Sequence, residues 1–180
     1  MGGAALVMAE ILAPTTFAGF VLIEPMLLPP PYQRAENNLS RGVRKRRRVF
    51  ESRLAARQNF ASKAPFLDWH PEALDGYVEC GLVETNEGVE LACSPHQEAD
   101  IYEGSTAHGA LDRASEVDVP TLVLAGSETD VYPEAHLRAM TKRFPSAGLE
   151  VLAGENHFLP MERPDVVARR IERIANGLTS

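Results

Sequence analysis

The sequence predicts an α/β chain: the last three parallel strands of a sheet with flanking helices, interrupted by a long, mainly helical insertion. Three observations predict it. Two short apolar runs near the C-terminus, Thr121 to Ala125 and Leu149 to Leu152, alternate with helical stretches, and strand–helix alternation implies parallel pairing with right-handed crossovers. An earlier run, Gly19 to Pro25, is continuously apolar from Phe20 to Ile23 between a Gly and a Pro, the pattern of a strand buried on both faces of a sheet. Between that run and the later two, from Met26 to about Glu116, the composition turns charged and helix-forming.

In chain order, Gly2 to Leu12 reads as a helix. Its Gly-Gly start permits close backbone approach, Ala, Leu, Val and Met fill it, and Pro14 ends it. It is apolar on most sides, which suits a helix packed against a sheet. The strand from Gly19 to Pro25 follows. In the insertion, Arg53 to Phe60 and His70 to Gly81 are helix candidates, the second with Leu74, Tyr77 and Val78 as its apolar side. Asn86-Glu87-Gly88 is a turn signal, and Val89 to Cys93 has the composition of a short strand. After the strand at Thr121, Pro133 opens a helix with Leu137, Met140 and Phe144 at i, i+3 and i+7. After the strand at Leu149, Pro164 opens a helix with Val167, Ile171, Ile174 and Leu178 at i, i+4, i+7 and i+11. The expected division is a core of 1–28 and 117–180, with 29–116 inserted.

The 180 residues suffice for one domain with a core. A net charge of −7 argues against general nucleic-acid binding. Cys80 and Cys93 make no disulfide framework, no Cys/His spacing resembles a zinc site, and a reduced, cytoplasmic setting is the expectation. The apolar opening stretch lacks a basic start, carries Glu10, and holds Pro14, Pro25 and Pro29, so neither a signal peptide nor a membrane span is expected. The myristoylation pattern fails at Leu6. Six basic residues (Arg41, Arg44, Lys45, Arg46, Arg47 and Arg48) form a run without interleaved aromatics, expected as a solvated helix face rather than a nucleic-acid patch.

The chemistry collects at the strand ends. Asp130 sits four residues past Gly126, just beyond the run from Thr121, and His157 sits just beyond Val151 and Leu152. Functional groups in parallel sheets gather past the carboxyl ends of strands. An acid that holds an imidazole in one tautomer, and a His that takes a nucleophile's proton, are two thirds of an acyl-transfer triad. Asp130 is the chosen acid, with Glu128 its nearest competitor. A carboxylate at this place also suits the start of the following helix. His108 and His136 have no motif around them; Trp69 reads as a packed aromatic.

Met1-Gly2-Gly3 matches the x-G-G that follows the Ser of a nucleophile elbow, and Gly154 to Pro164 reads G-E-N-H-F-L-P-M-E-R-P, a His followed by an apolar residue and then Glu-x-Pro. On these residues the chain resembles the C-terminal part of an α/β-hydrolase, beginning one residue after the nucleophile. The order elbow, acid, His agrees with that fold. One departure is Asn156, where the family commonly has Gly before the His. The resemblance implies a Ser nucleophile just before Met1, with Asp or Cys as alternatives, an oxyanion-hole N–H from Met1, Asp130 as acid and His157 as base. It further implies a helical cap in the insertion, no cofactor or metal, and a small, fairly apolar substrate such as an ester. Glu24 occupies a place where some relatives keep an alternative acid, and Glu24-Pro25 is also a simple strand end. A non-catalytic binding or regulatory role for the short chain is the competing expectation.

Overall fold

The computed structural model describes residues 1–178. In chain order its elements are α1 (Gly2–Leu12), β1 (Phe20–Ile23), α2 (Asn38–Val43), β2 (Val49–Phe50), α3 (Arg53–Ala61), α4 (Pro71–Cys80), β3 (Leu82–Thr85), β4 (Gly88–Leu91), α5 (Pro95–Gly104), β5 (Thr121–Gly126), α6 (Glu134–Thr141), β6 (Ala147–Leu152), α7 (Leu159–Glu162) and α8 (Pro164–Leu178). They fall into two compact units. The first comprises Met1–Tyr32, Thr106–Pro160 and the chain from Pro164; the second comprises Gln33–Ser105 with Met161–Arg163.

The first unit is built on a parallel sheet of order β1-β5-β6. Phe20 pairs with Thr121 and Ile23 with Leu124; on the other side Thr121 pairs with Ala147 and Gly126 with Leu152. Every residue of β5 is buried, because both faces of this strand are covered. Val123 and Ala125 join a cluster with Val7, Leu22, Leu137 and Met140, while Leu122 and Leu124 join Leu159 and Val167 on the opposite face. The period of two that divides these pairs is that of a strand, and it is invisible in the sequence because both faces are apolar. Helix α1 stays close to the sheet because Gly3 has no side chain: a Cβ there would stand 2.9 Å from Pro25 Cβ. The buried Glu10 closes the turn after α1, its carboxylate accepting the N–H groups of Thr15 at 2.6 Å and Phe17 at 3.2 Å. In α8, Val167 is buried and Ile174 partly so, but Ile171 is 50% exposed. At 100° per residue the buried stripe runs through Val166, Arg170 and Ile174 and leaves Ile171 at its margin. The side chain of Leu178 lies outside the described residues.

The second unit carries an antiparallel sheet of order β2-β4-β3. Its core gathers Phe50, Phe60, Leu74, Val78, Leu82 and Val89, and burying a side chain such as Phe50 contributes about 2–3 kcal/mol. Helix starts are marked by side-chain caps: Ser52 accepts from Ala55 N–H, and Ser94 forms a capping box with Gln97. The basic run is embedded in carboxylates. Arg41 meets Glu36 at 3.2 Å, Arg44 meets Glu103 at 2.7 Å, Arg46 meets Glu98 at 2.6 Å and Arg48 meets Glu90 at 2.9 Å, while the Arg47 guanidinium lies 4.8 Å from the Phe50 ring centre.

Two features depart from the sequence expectations. Residues 106–116, counted with the insertion, lie in the first unit, where Ala110, Leu111 and Ala114 are core residues. The insertion is helical but also holds the three-stranded sheet, of which the sequence marked only β4, as the short strand from Val89 after the Asn86-Glu87-Gly88 turn; β2 has two residues and β3 exposes Val83 and Glu84, so neither shows in the periodicity. Among the described residues no helix is long and apolar enough to cross a membrane.

Candidate active site

Parallel pairing brings the carboxyl ends of β1, β5 and β6 to one edge of the sheet, and the turns that leave them meet there. The backbone ladder of β1 continues one step past its end: Glu24 N–H donates to Leu124 O at 2.9 Å. Glu24 then turns with φ at +40°, a left-handed conformation uncommon for a residue with a side chain. Such strain costs on the order of 1–3 kcal/mol and persists where the surroundings enforce it. Pro25 contributes by disfavouring the right-handed helical region for the residue before it.

The turn aims the Glu24 carboxylate inward, where the residue is 5% exposed. Its Oε1 accepts Gly126 N–H at 3.0 Å, and its Oε2 accepts the Thr129 hydroxyl at 2.7 Å. The same Oε2 lies 2.6 Å from His157 Nδ1. Thr129 is itself held, its Oγ1 accepting Val131 N–H at 3.3 Å. Burial opposes ionisation of this carboxyl, but the bonds from His157, Gly126 and Thr129 and the imidazole's charge outweigh it, so the group is held below its ordinary value of 4.5. An ionised Glu24 can only accept, so neutral His157 carries its proton on Nδ1 and presents Nε2 as the basic nitrogen. Burial, and then the negative charge of Glu24, push the Tyr132 phenol up to about 12.

His157 is delivered by a loop clamped across the end of β5. Ser127 N–H donates to Leu152 O at 2.9 Å, Glu128 N–H to Glu155 O at 2.9 Å, and Gly154 N–H to Ser127 Oγ at 2.9 Å. Gly126 permits this approach, since a Cβ there would stand 2.1 Å from Glu155 O. Asn156, which stands where the family commonly has Gly, shapes the loop locally. Its Oδ1 accepts Phe158 N–H at 2.6 Å, a side-chain turn that brackets the His. Leu159 anchors the loop as a fully buried residue. The start of α1 lies against the turn after β1 through Gly3 and Pro25, and the Met1 carbonyl accepts Ala5 N–H at 3.2 Å.

Of the two residues chosen from sequence, His157 stands in this cluster and Asp130 does not share in its hydrogen bonds. Asp130 is exposed, and the carboxylate at His157 Nδ1 is that of Glu24. Glu128 is exposed and accepts the Ser127 hydroxyl at 3.1 Å. Glu24, named from the sequence as the place of an alternative acid, is the lone carboxylate ending an otherwise apolar strand directly before proline. Two other histidines serve elsewhere: His136 Nε2 lies 3.1 Å from Leu27 O, and His70 Nδ1 accepts Glu72 N–H at 3.3 Å at the start of α4. Among the described residues no group of three or more His, Cys, Asp or Glu could hold a metal ion.

Replacing Glu24 with glutamine tests the charge balance. A carboxyl with a lowered folded value stabilises the fold at pH above its unfolded value, and this contribution fades as the pH falls through the folded value. Wild-type stability therefore declines below pH 4.5, and Glu24→Gln makes that decline shallower. The remaining slope belongs to carboxyls such as Glu150, held low by hydrogen bonds from Arg170 and Arg173. Urea denaturation between about pH 3 and pH 6 measures both curves.

A parallel sheet whose strand ends assemble a buried carboxylate with a loop histidine defines an α/β protein of hydrolase type. The sequence pattern of the alpha/beta hydrolase family matches residues 1–170, and the chain belongs to that family. Solved structures share its fold. The peroxisomal α/β-hydrolase Lpx1 from Saccharomyces cerevisiae superposes with a TM-score of 0.84 at 20% identity, over 99% of this chain and 51% of that one. E-2-(acetamidomethylene)succinate hydrolase follows at 0.76 and 19%, over 97% and 63%. A thermophilic esterase from Thermogutta terrifontis gives 0.67 and 19%, over 99% and 63%. The chain thus spans between 51% and 63% of the length of these relatives. No curated protein sequence matches it.

Proposed function

We propose that this chain supplies the acid–base half of an α/β-hydrolase that cleaves an ester or similar small, fairly apolar substrate, with Glu24 rather than Asp130 holding His157. The observation that carries the reading is the 2.6 Å contact between Glu24 Oε2 and His157 Nδ1. In this reading a serine directly before Met1 is the nucleophile. His157 Nε2 takes the hydroxyl proton as the oxygen attacks the substrate carbonyl, then returns it to the leaving alcohol. The Met1 backbone N–H stabilises the oxyanion, the role of the residue after the nucleophile in this fold. A water activated by the same imidazole then releases the acid. The second unit is taken as the family's cap insertion. An esterase among the structural relatives supports an ester as the substrate class.

The test has two readouts. The coding sequence immediately upstream of Met1 is read, and the polypeptide it encodes is assayed on p-nitrophenyl esters beside the 180-residue chain. The expected result is an in-frame Gly-x-Ser directly before Met1 and hydrolysis by the longer polypeptide, with the short chain slower by about 10⁶-fold. A stop codon or unrelated sequence there, or nucleophile-dependent hydrolysis by the short chain, overturns the reading. A stop codon would leave a binding role as the better account.

A further inference from the structure

We infer that Thr129 is a positioning residue of the site: its hydroxyl, together with the Gly126 N–H, clamps the plane of the Glu24 carboxylate so that one oxygen stays on His157 Nδ1. The inference rests on the proposed role of His157 as the base. All of these residues lie in the first unit. The turn after β5 runs Ser127-Glu128-Thr129-Asp130. Glu128 and Asp130 are exposed, while Thr129 between them turns in and bonds Glu24. A carboxylate in that inward place would meet an ionised one, and two such charges about 3 Å apart cannot both stay ionised. A hydroxyl adds a donor and no charge.

Thr129 has one proton to give, and its surroundings decide where it goes. Its oxygen already accepts the Val131 N–H at 3.3 Å in a side-chain turn. Ionised Glu24 only accepts. The Thr129 proton therefore points at Glu24 Oε2, 2.7 Å away. The same oxygen takes His157 Nδ1 at 2.6 Å, and Oε1 takes the Gly126 N–H at 3.0 Å. Gly126 is fixed by the sheet, where it pairs with Leu152. Two donors besides the imidazole thus hold one oxygen each, and a twist of the carboxylate out of line with the ring breaks both bonds. Without Thr129 the backbone donor alone remains, and the oxygen that faces His157 is free to swing.

The same bond keeps Glu24 an acceptor. Burial works against ionisation of its carboxyl, and the donors His157, Gly126 and Thr129 work for it. The titratable groups that act on Glu24 come from two elements: His157 from the loop after β6, and Tyr132 from the turn after β5. The Tyr132 phenol, pushed up to about 12, stays neutral over the range in which a carboxyl titrates. Losing a donor to the charged form raises a carboxyl's titration, so removal of the Thr129 hydroxyl acts on Glu24 in a way that a change of packing alone does not.

The experiment is NMR on the 180-residue chain, wild type beside Thr129→Val, Thr129→Ala and Thr129→Ser, with urea midpoints to establish that each variant is folded. Two signals are read: exchange of the His157 Nδ1 proton with water, and the titration of the Glu24 carboxyl carbon. In Thr129→Val, which keeps the branched shape, the Nδ1 proton is expected to exchange about tenfold faster, the scale of one lost hydrogen bond, and Glu24 to titrate at higher pH. Thr129→Ala gives the same two changes, and Thr129→Ser, which keeps the hydroxyl, gives neither. Exchange at the wild-type rate or slower in folded Thr129→Val or Thr129→Ala, an unmoved Glu24 titration there, or a Thr129→Ser that behaves like Thr129→Ala overturns the inference. Both signals are read without nucleophile or substrate, so they decide the role of Thr129 whatever sequence precedes Met1.

Discussion

Glu24→Gln is expected to lower turnover of the nucleophile-bearing polypeptide by about 10⁴-fold, the scale lost when the acid of a triad becomes an amide and the imidazole takes the wrong tautomer. The glutamine amide has the size of the carboxylate, so its oxygen can still accept from Gly126 N–H, as Glu24 Oε1 does at 3.0 Å. Its NH₂ group, however, faces His157 Nδ1 and Thr129 in place of an acceptor. Nδ1 then accepts, the ring proton moves to Nε2, and the nitrogen that should receive the serine proton is blocked. Asp130→Asn leaves turnover near the wild-type value, because the exposed Asp130 takes no part in the bonds that orient the ring. Steady-state kinetics on the two variants, beside their unfolding midpoints, separate a lost tautomer from a lost fold. A large effect of Asp130→Asn with a small one of Glu24→Gln would restore the sequence-based choice.

Gly126→Ala is expected to destabilise the chain by about 3 kcal/mol, the upper end of what forced overpacking usually costs. The new methyl would meet Glu155 O at 2.1 Å, Glu155 C at 2.5 Å and Asn156 O at 2.8 Å. All three are backbone atoms, so no side chain can rotate away, and the His157 loop must lift from the end of β5. That movement also pulls His157 away from Glu24, whose carboxylate is tied to the Gly126 N–H. Gly148→Ala is the control: it lies on the neighbouring β6 with nothing within 4 Å of the added Cβ. Urea denaturation reads the difference, and equal midpoints for the two variants would contradict the close approach.

The parts of the fold legible in the sequence are those where local signals agree. Gly-Gly and Pro14 bracket α1, Gly19 and Pro25 bracket β1, and proline opens α8. Of the insertion's sheet only β4 and the turn before it were legible, from Asn86-Glu87-Gly88 and the composition of Val89 to Cys93; β2 has two residues and β3 exposes Val83 and Glu84 side by side, so neither shows a period of two. The basic run shows the same limit. Arg44, Arg46 and Arg48 find their carboxylates at Glu103, Glu98 and Glu90, far along the chain, and only the fold reveals that the charge is paired. His157 was legible because its loop carries its own pattern. Its carboxylate partner, Glu24, was legible only as an alternative to Asp130, because the choice lies in side-chain reach: β1 and β5 are sheet neighbours although Glu24 and Gly126 are 102 residues apart in sequence. The left-handed turn that aims Glu24 inward leaves no mark in composition.

The most direct test is the tautomer of neutral His157, read from the ¹⁵N shifts of its two ring nitrogens in the 180-residue chain. This measurement needs no nucleophile and no substrate. A proton on Nδ1 is predicted in the wild type and in Asp130→Asn, and a proton on Nε2 in Glu24→Gln. A ring that keeps its Nδ1 proton in Glu24→Gln and loses it in Asp130→Asn would contradict the assignment of Glu24 as the residue that holds His157.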